Sequence, residues 1–356
     1  MANRSLARRQ VPLPPPLSLV TCATVLALAI GGCSRDHRTP LVIYSPHGRD
    51  LLTLIEQRFE QLHPDVDVRW LDMGSQEVYD RLRSERANPQ ADVWFGGPAT
   101  IFARSAADSL LEPFRPGWAD AIEPHGRGAG DLYVAAYETP VVIVYAERAL
   151  TPEQAPQDWD DLLDAQWKGK ILIRDPLASG TMRAVWGMII ERGLKQTHDT
   201  AAGFQWLRRL DAQTKEYVLN GPLLDQKIVR GEGLVTIWDL PDILLSKRDG
   251  LPLGYVFPKS GTPVIEDAIA VVRNARHRDQ AHAFVEYVGS IEAQLLATRE
   301  AYRLPSRRDI PTDSLPSWAR EVRRTMKAAD VDWDLLAVRS GDWMRAWDET
   351  VRGHAR

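Results

Sequence analysis

Leu41-Val42-Ile43-Tyr44-Ser45 begins, and Ala91-Asp92-Val93-Trp94-Phe95 ends, the stretch on which the fold turns. Both runs are short, apolar and rich in β-branched or aromatic side chains, the composition of strands buried on both faces of a parallel sheet. Between them Leu51, Leu52, Ile55, Phe59 and Leu62 recur at helical spacing, Arg49, Glu56, Gln57 and Glu60 take the opposite face, and Pro64 ends the helix. Val66 to Leu71 then alternates as a strand, and Gln76 to Glu85 returns to helix. A β-α-β-α-β order implies parallel strands joined by right-handed crossovers, with the loops at the strand C-termini gathered on one edge, where ligands bind.

The same rhythm resumes at Lys170 to Ile173 (strand), Thr181 to Arg192 (helix) and Leu234 to Asp239 (strand), flanked by the strand-like runs Val141 to Tyr145 and Leu253 to Phe257. This predicts an α/β protein of two lobes. The chain leaves the first lobe near Tyr137 to Thr139, builds the second, returns near Phe257 to Thr262, and adds Ala268-Ile269-Ala270-Val271-Val272 to the first. Residues 41–138 and 262–312 are thus expected in lobe one and 139–261 in lobe two, with two hinge crossings. From Leu315 onward Trp318, Val322, Met326, Trp333, Leu336, Trp343 and Trp347 predict C-terminal helices, residues 313–356, that cap the body.

Residues 1–32 differ in kind from the rest. Arg4, Arg8 and Arg9 precede an acid-free stretch that turns apolar from Leu17 to Ile30, too short to span a bilayer as a helix, which takes about 20 apolar residues. Ile30-Gly31-Gly32-Cys33 resembles the lipobox, so Cys33 is the expected lipidated first residue of an exported periplasmic or cell-surface lipoprotein, and residues 33–40 its tether. Cys22 leaves with the signal peptide, and no cysteine follows Cys33, so the mature fold has no internal disulfide to lean on. Removing residues 1–32 takes away three arginines and no acid, moving the net charge from −4 to −7. An acidic domain without a Lys/Arg run is not built for nucleic acid.

Several local runs together are similar to one known family. They are Leu41 to Ser45; Asn88-Pro89-Gln90-Ala91-Asp92-Val93-Trp94-Phe95-Gly96-Gly97; Trp159-Asp160-Asp161-Leu162-Leu163 leading to Trp167-Lys168-Gly169-Lys170; Asp175-Pro176 and Ser179-Gly180-Thr181; Gly231-Glu232-Gly233; Phe257 to Pro263; and Ala281 to Gln294. In this order, over nearly the whole mature chain, they resemble the bacterial extracellular solute-binding proteins of the ferric-ion-binding type. The resemblance implies the two-lobed type II periplasmic-binding-protein fold, a small-molecule or ion ligand held between the lobes, and an ABC permease as membrane partner.

The candidate ligand-binding residues follow from both lines of reasoning. Ser179-Gly180-Thr181 lies between a strand and a helix, so its amides and hydroxyls sit at a helix N-terminus with partial positive charge, an anion seat; the other reading is plain N-capping. Ser45-Pro46-His47-Gly48 follows the first strand at the cleft edge, and His47 can donate, accept or coordinate a metal. Gly97, after Gly96, permits close backbone approach. Asn220 aligns with a family position that bonds a bound anion, or simply opens an Asn-Gly turn, and Thr139 stands in the first crossing. Where ferric-binding relatives carry two adjacent tyrosines, this chain reads Trp238-Asp239-Leu240-Pro241-Asp242. Ferric ion prefers anionic oxygen ligands, and one histidine without a phenolate pair lacks most of that binding energy. Trp238 and Asp239 suit instead an ammonium on an organic anion, or else they are core packing and a helix cap. The expected ligand is therefore anionic or organophosphorus-like, with an amine as an option and no cofactor. The alternatives are a ferric-binding protein with atypical ligands, His47 among them, and a sensor or scaffold lipoprotein on the same fold. An enzyme is not expected: the sequence has no Gly-x-Ser-x-Gly elbow, metal-spaced histidine pair, phosphate loop or paired-cysteine site, and Lys259-Ser260-Gly261-Thr262 reads as hinge.

Overall fold

The computed structural model describes residues 37–353; the signal, cleavage and lipidation positions, Cys33 included, lie outside the described residues. The chain opens with β1 (Thr39–Ser45), α1 (Arg49–Leu62), β2 (Val66–Asp72), α2 (Ser75–Ser84), β3 (Val93–Pro98), α3 (Ala99–Ala107) and the short β4 (Leu111–Glu112). β1 pairs in parallel with β2 on one side and β3 on the other, as the opening sequence requires. α1 turns Leu51, Leu52, Ile55 and Phe59 inward, and α2 does the same with Val78, Tyr79 and Leu82. The crossover helices therefore pack their apolar stripes on opposite faces of the sheet.

β5 (Val134–Ala146) carries the chain between lobes. All of its 13 residues are buried. Val134 to Pro140 pair with one neighbouring strand and Val141 to Tyr145 with another. The change of partner falls at Pro140 and Val141, just past the expected Tyr137 to Thr139, where proline has no N–H to offer a ladder. Lobe two follows: β6 (Ile171–Arg174), α4 (Gly180–Thr197), α5 (Ala201–Gln213), β7 (Thr214–Val218), α6 (Gly221–Val229), β8 (Val235–Asp239), α7 (Leu240–Arg248) and β9 (Leu253–Val256). β6 is parallel to β7 and β8, while β8 and β9 are antiparallel to β5.

The return to lobe one leads into β10 (Val264–Val272), α8 (Arg278–Val288), α9 (Ile291–Ala301) and β11 (Leu304–Pro305). β10 lies antiparallel between β3 and β5, giving the order β2-β1-β3-β10-β5-β8-β6-β7. The outward and return crossings hold each other: the Val141 amide donates to Pro263 O at 3.1 Å, and the Thr262 hydroxyl donates to Val141 O. Finally α10 (Ser317–Thr325) and α11 (Trp333–Thr350) bury Ala319, Val322, Leu336, Trp343, Met344 and Trp347 in the lobe-two core. Gly187 on α4 makes room for this, since a Cβ there would lie 2.9 Å from the Leu336 side chain. Among the described residues no helix is long and apolar enough to cross a membrane.

Candidate functional site

Strands β1 and β2 from lobe one, and β6, β7 and β8 from lobe two, each end at a loop that opens a helix, and these loops face one another across a cleft of about 860 Å³. Of the residues singled out by sequence, His47, Ser179, Gly180, Thr181, Asn220, Trp238 and Asp239 line it. Ser45, Gly97 and Thr139 do not reach the cleft wall; they stand behind it.

The three lobe-two helix N-termini at the cleft, those of α4, α6 and α7, are built alike and differ in one useful respect. Ser179 Oγ accepts from the Met182 amide at 3.2 Å, Asn220 Oδ1 from Leu223 at 2.9 Å, and Asp239 Oδ1 from Asp242 at 3.3 Å. All three side chains are thus spent as N-caps. What remains for a ligand is the backbone of the first turn, which has no intrahelical acceptor. At the second helical position α6 has Pro222 and α7 has Pro241, neither of which has an N–H, whereas α4 has Thr181. α7 is also capped by a carboxylate. Of the three, only α4 therefore has an amide on both of its first two residues behind a neutral cap, which makes its N-terminus the best anion seat.

Arg174, at the end of β6, stands beside that seat and was not foreseen from sequence. It is only 9% exposed, lines the cleft and donates to Val218 O at 3.4 Å. No carboxylate lies within ion-pair distance of it among the described residues, and burial holds its guanidinium below the usual arginine range. A buried cation without a carboxylate partner is costly unless something else pairs with it.

Another part of the lobe-two wall is acidic. Asp242 accepts from the Trp238 indole at 3.2 Å and from Arg303 at 3.1 Å. Burial, reinforced by the Asp242 charge, pushes Asp239 well above the usual carboxylate range. Asp225, whose carboxylate accepts from the Ser246 hydroxyl at 2.6 Å, is pushed up to about 7, again by burial first. Trp238 is both core and wall: it is nearly buried, and its ring packs against Gly221, where a Cβ would lie 3.0 Å away.

At the cleft floor His47 is buried against a group of polar residues. Its ring lies so close to Gly96 that a Cβ there would meet it at 2.5 Å, which answers why the chain needs a glycine with φ of 103° at that place. Its Nε2 is 3.5 Å from Asp267 Oδ2. Thr139 Oγ1 donates to Asp267 Oδ2 at 2.5 Å, the Gly97 amide donates to Oδ1 at 3.2 Å, and Ser45 Oγ accepts from the His47 amide at 3.2 Å. Burial holds His47 toward its neutral form. Against the cost of burial, the adjoining His47, Arg303 and the Thr139 hydroxyl keep Asp267 below the usual carboxylate range. Ser45, Gly97, Thr139 and Asp267 thus stand behind the floor that His47 helps to line. Tyr137 adjoins His47, ring to ring 5.8 Å, but burial pushes its phenol far up, so it is a poor source of phenolate. Among the described residues no group of three or more His, Cys, Asp or Glu is placed to hold a metal ion.

The lobes touch at the seat. A Cβ on Gly74 would lie 2.9 Å from Ala178 O, and one on Gly180 would lie 2.6 Å from Pro98 Cδ and 2.9 Å from Ser75 Oγ. Backbone meets backbone there because glycine stands on both sides.

Comparison with known proteins agrees with this architecture. The profile of the bacterial extracellular solute-binding proteins matches residues 55–324. A periplasmic protein of Salmonella typhimurium, provisionally named as 2-aminoethylphosphonate-binding, is 26% identical over 295 residues, covering 80% of this chain and 83% of its own. A protein of Sinorhizobium fredii, provisionally named an ABC transporter periplasmic-binding protein, is 25% identical over 339 residues, 94% of this chain and 92% of its own. The periplasmic binding protein AfuA of Actinobacillus pleuropneumoniae, with exogenous fructose-6-phosphate bound, superposes with a TM-score of 0.79 at 26% identity over 88% of this chain and 99% of that one. This chain belongs to the family of bacterial extracellular solute-binding proteins.

Proposed function

We propose that the protein is the substrate-binding component of an ABC importer and that its ligand is a small organic phosphate or phosphonate, held with its anionic group at the N-terminus of α4 and a donor-bearing body toward Asp225, Asp239 and Asp242. The observation that carries this reading is the contrast among the three helix N-termini: α4 has its amides and a buried arginine, while α6 and α7 carry prolines and α7 a carboxylate cap. Relatives named for 2-aminoethylphosphonate and solved with fructose-6-phosphate support the same ligand class. Calorimetric titration with these two compounds tests it; the expected result is saturable one-site binding of at least one of them, and heat no greater than dilution for both would sink it.

The acidic wall makes a second, sharper expectation. Burial pushes the Asp225 carboxyl up to about 7 and Asp239 upward as well, so an ammonium meets a fully charged Asp225 only above that pH. Raising the pH from about 5.5 to about 8 should therefore tighten 2-aminoethylphosphonate more than fructose-6-phosphate. Both ligands gain a second phosphorus charge over that range, so the difference isolates the amine. Equal slopes of log Kd against pH would mean that the carboxylates face no cation.

The anchor belongs to the same proposal. With Cys33 lipidated, the mature protein stays at the membrane beside its permease. A Cys33→Ser change should move it from the membrane fraction to the soluble periplasmic fraction, and unchanged membrane retention would show that something other than the lipid holds it.

A further inference from the structure

We infer that the anion seat is shared by both lobes and selects a doubly charged phosphoryl or phosphonyl group, with Arg174 as its charge partner and Ser75 as its lobe-one hydrogen-bond donor. This rests on the proposal that an anion occupies the α4 N-terminus. Two independent features point to it. The Arg174 guanidinium is nine-tenths buried in the cleft wall without a carboxylate partner among the described residues, and its Nη2 lies 4.0 Å from where a Gly74 Cβ would be. Ser75 is 5% exposed and lines the same cleft, with its hydroxyl 2.9 Å from the Cβ position of Gly180. Ser75 is the first residue of α2, which has Gly74 at its N-cap and no side-chain cap. The N-termini of α2 and α4 thus adjoin at the cleft, one from each lobe.

The charge available there sets the ligand's charge. A helix N-terminus contributes roughly half a positive charge, so two of them with one arginine offer about two, set against the carboxylates of Glu77 in the first turn of α2 and Asp175 beside Arg174. A phosphate monoester, whose second pKa is about 6, carries nearly that at neutral pH. A sulfonate or carboxylate carries one and leaves Arg174 or a helix end unanswered. Because the seat is complete only when α2 and α4 meet, the dianion also holds the lobes together.

The test compares 2-aminoethylphosphonate with 2-aminoethanesulfonate, which has nearly the same shape and one charge fewer, by calorimetry at about pH 8. The wild-type protein should favour the phosphonate by about 100-fold. Arg174→Gln should weaken the phosphonate by about 30-fold and the sulfonate by less than about 3-fold, closing most of the gap; Arg174→Lys should restore part of it, and Ser75→Ala should cost the phosphonate about 10-fold. Thermal melts of each variant separate lost binding from lost folding. Equal binding of the two compounds by the wild type, or an undiminished gap in Arg174→Gln, overturns the shared dianion seat. If in addition Ser179→Asp abolishes binding of both, the α4 seat stands and only the clamp falls. Failure of the wild type to bind either compound, or fructose-6-phosphate, overturns both.

Discussion

Replacing Gly180 with valine should leave both lobes folded and cost about 100-fold or more in affinity for a cleft ligand, equivalent to about 2.7 kcal/mol. The argument is steric. Even a single Cβ at this position would lie 2.6 Å from Pro98 Cδ and 2.9 Å from Ser75 Oγ, and valine adds two methyl groups to that collision. Within lobe two the change is mild, because Gly180 is the first residue of α4 and not in the helix interior, where residue preference weighs most. The cost therefore falls on the meeting of the lobes and not on their folding. Calorimetry should report the lost affinity, and small-angle scattering should report a larger radius of gyration than for the wild type with ligand. A variant that binds and compacts as the wild type does would show that Gly74 and Gly180 do not need to approach.

A Ser179→Asp change should be at least as damaging, for an electrostatic reason. Aspartate caps a helix about as well as serine, so the bond from the Met182 amide survives and α4 keeps its start. The new carboxylate would stand about 3–4 Å from a bound anion, and two like charges at about 4 Å repel by about 4 kcal/mol at an effective dielectric of about 20. That is a loss approaching 1000-fold. Thr181→Pro is the gentler companion, and the chain itself carries proline at the matching helical position in Pro222 and Pro241; it removes one amide donor and should cost about 10-fold. His47→Ala should matter less to an anion, because His47 lies in the floor network with Asp267. If affinity ignored Ser179→Asp and Thr181→Pro but collapsed with His47→Ala, the α4 N-terminus would be an ordinary cap and metal coordination the better account.

How much of the molecule is readable from sequence follows from how local each feature is. The β1 to β3 half of lobe one is legible because Leu51, Ile55 and Phe59 declare a helix face and Pro64 its end. β5 does not read as one strand, because Glu138, Thr139 and Pro140 interrupt an apolar run and their burial comes only from the two sheets that meet there. α5 and β7 escape a reading by pattern: β7 is an edge strand with Lys215 and Glu216 in place of an apolar run, the usual guard on an exposed edge. At the site, Ser179, Asn220 and Asp239 stand out as motifs, yet their side chains turn out to cap helices while the backbone beside Ser179 is what faces the cleft. Ser45, Gly97 and Thr139 lie one layer further back than expected, since strand-end position does not say which residues a buried histidine will recruit. Arg174 and Ser75 could not be picked out, because neither sits in a recognisable motif; their meaning arises from two loops, one in each lobe, that only the tertiary fold brings together.

The most direct test of the central claim is small-angle scattering of the purified mature protein titrated with 2-aminoethylphosphonate, fructose-6-phosphate and ferric salt, with the visible spectrum recorded in parallel. An organophosphorus ligand seated between α2 and α4 predicts compaction with one or both phosphorus compounds, abolished by Ser179→Asp, and no charge-transfer colour with ferric ion. Compaction with ferric ion accompanied by a visible band, with neither phosphorus compound having any effect, would contradict it.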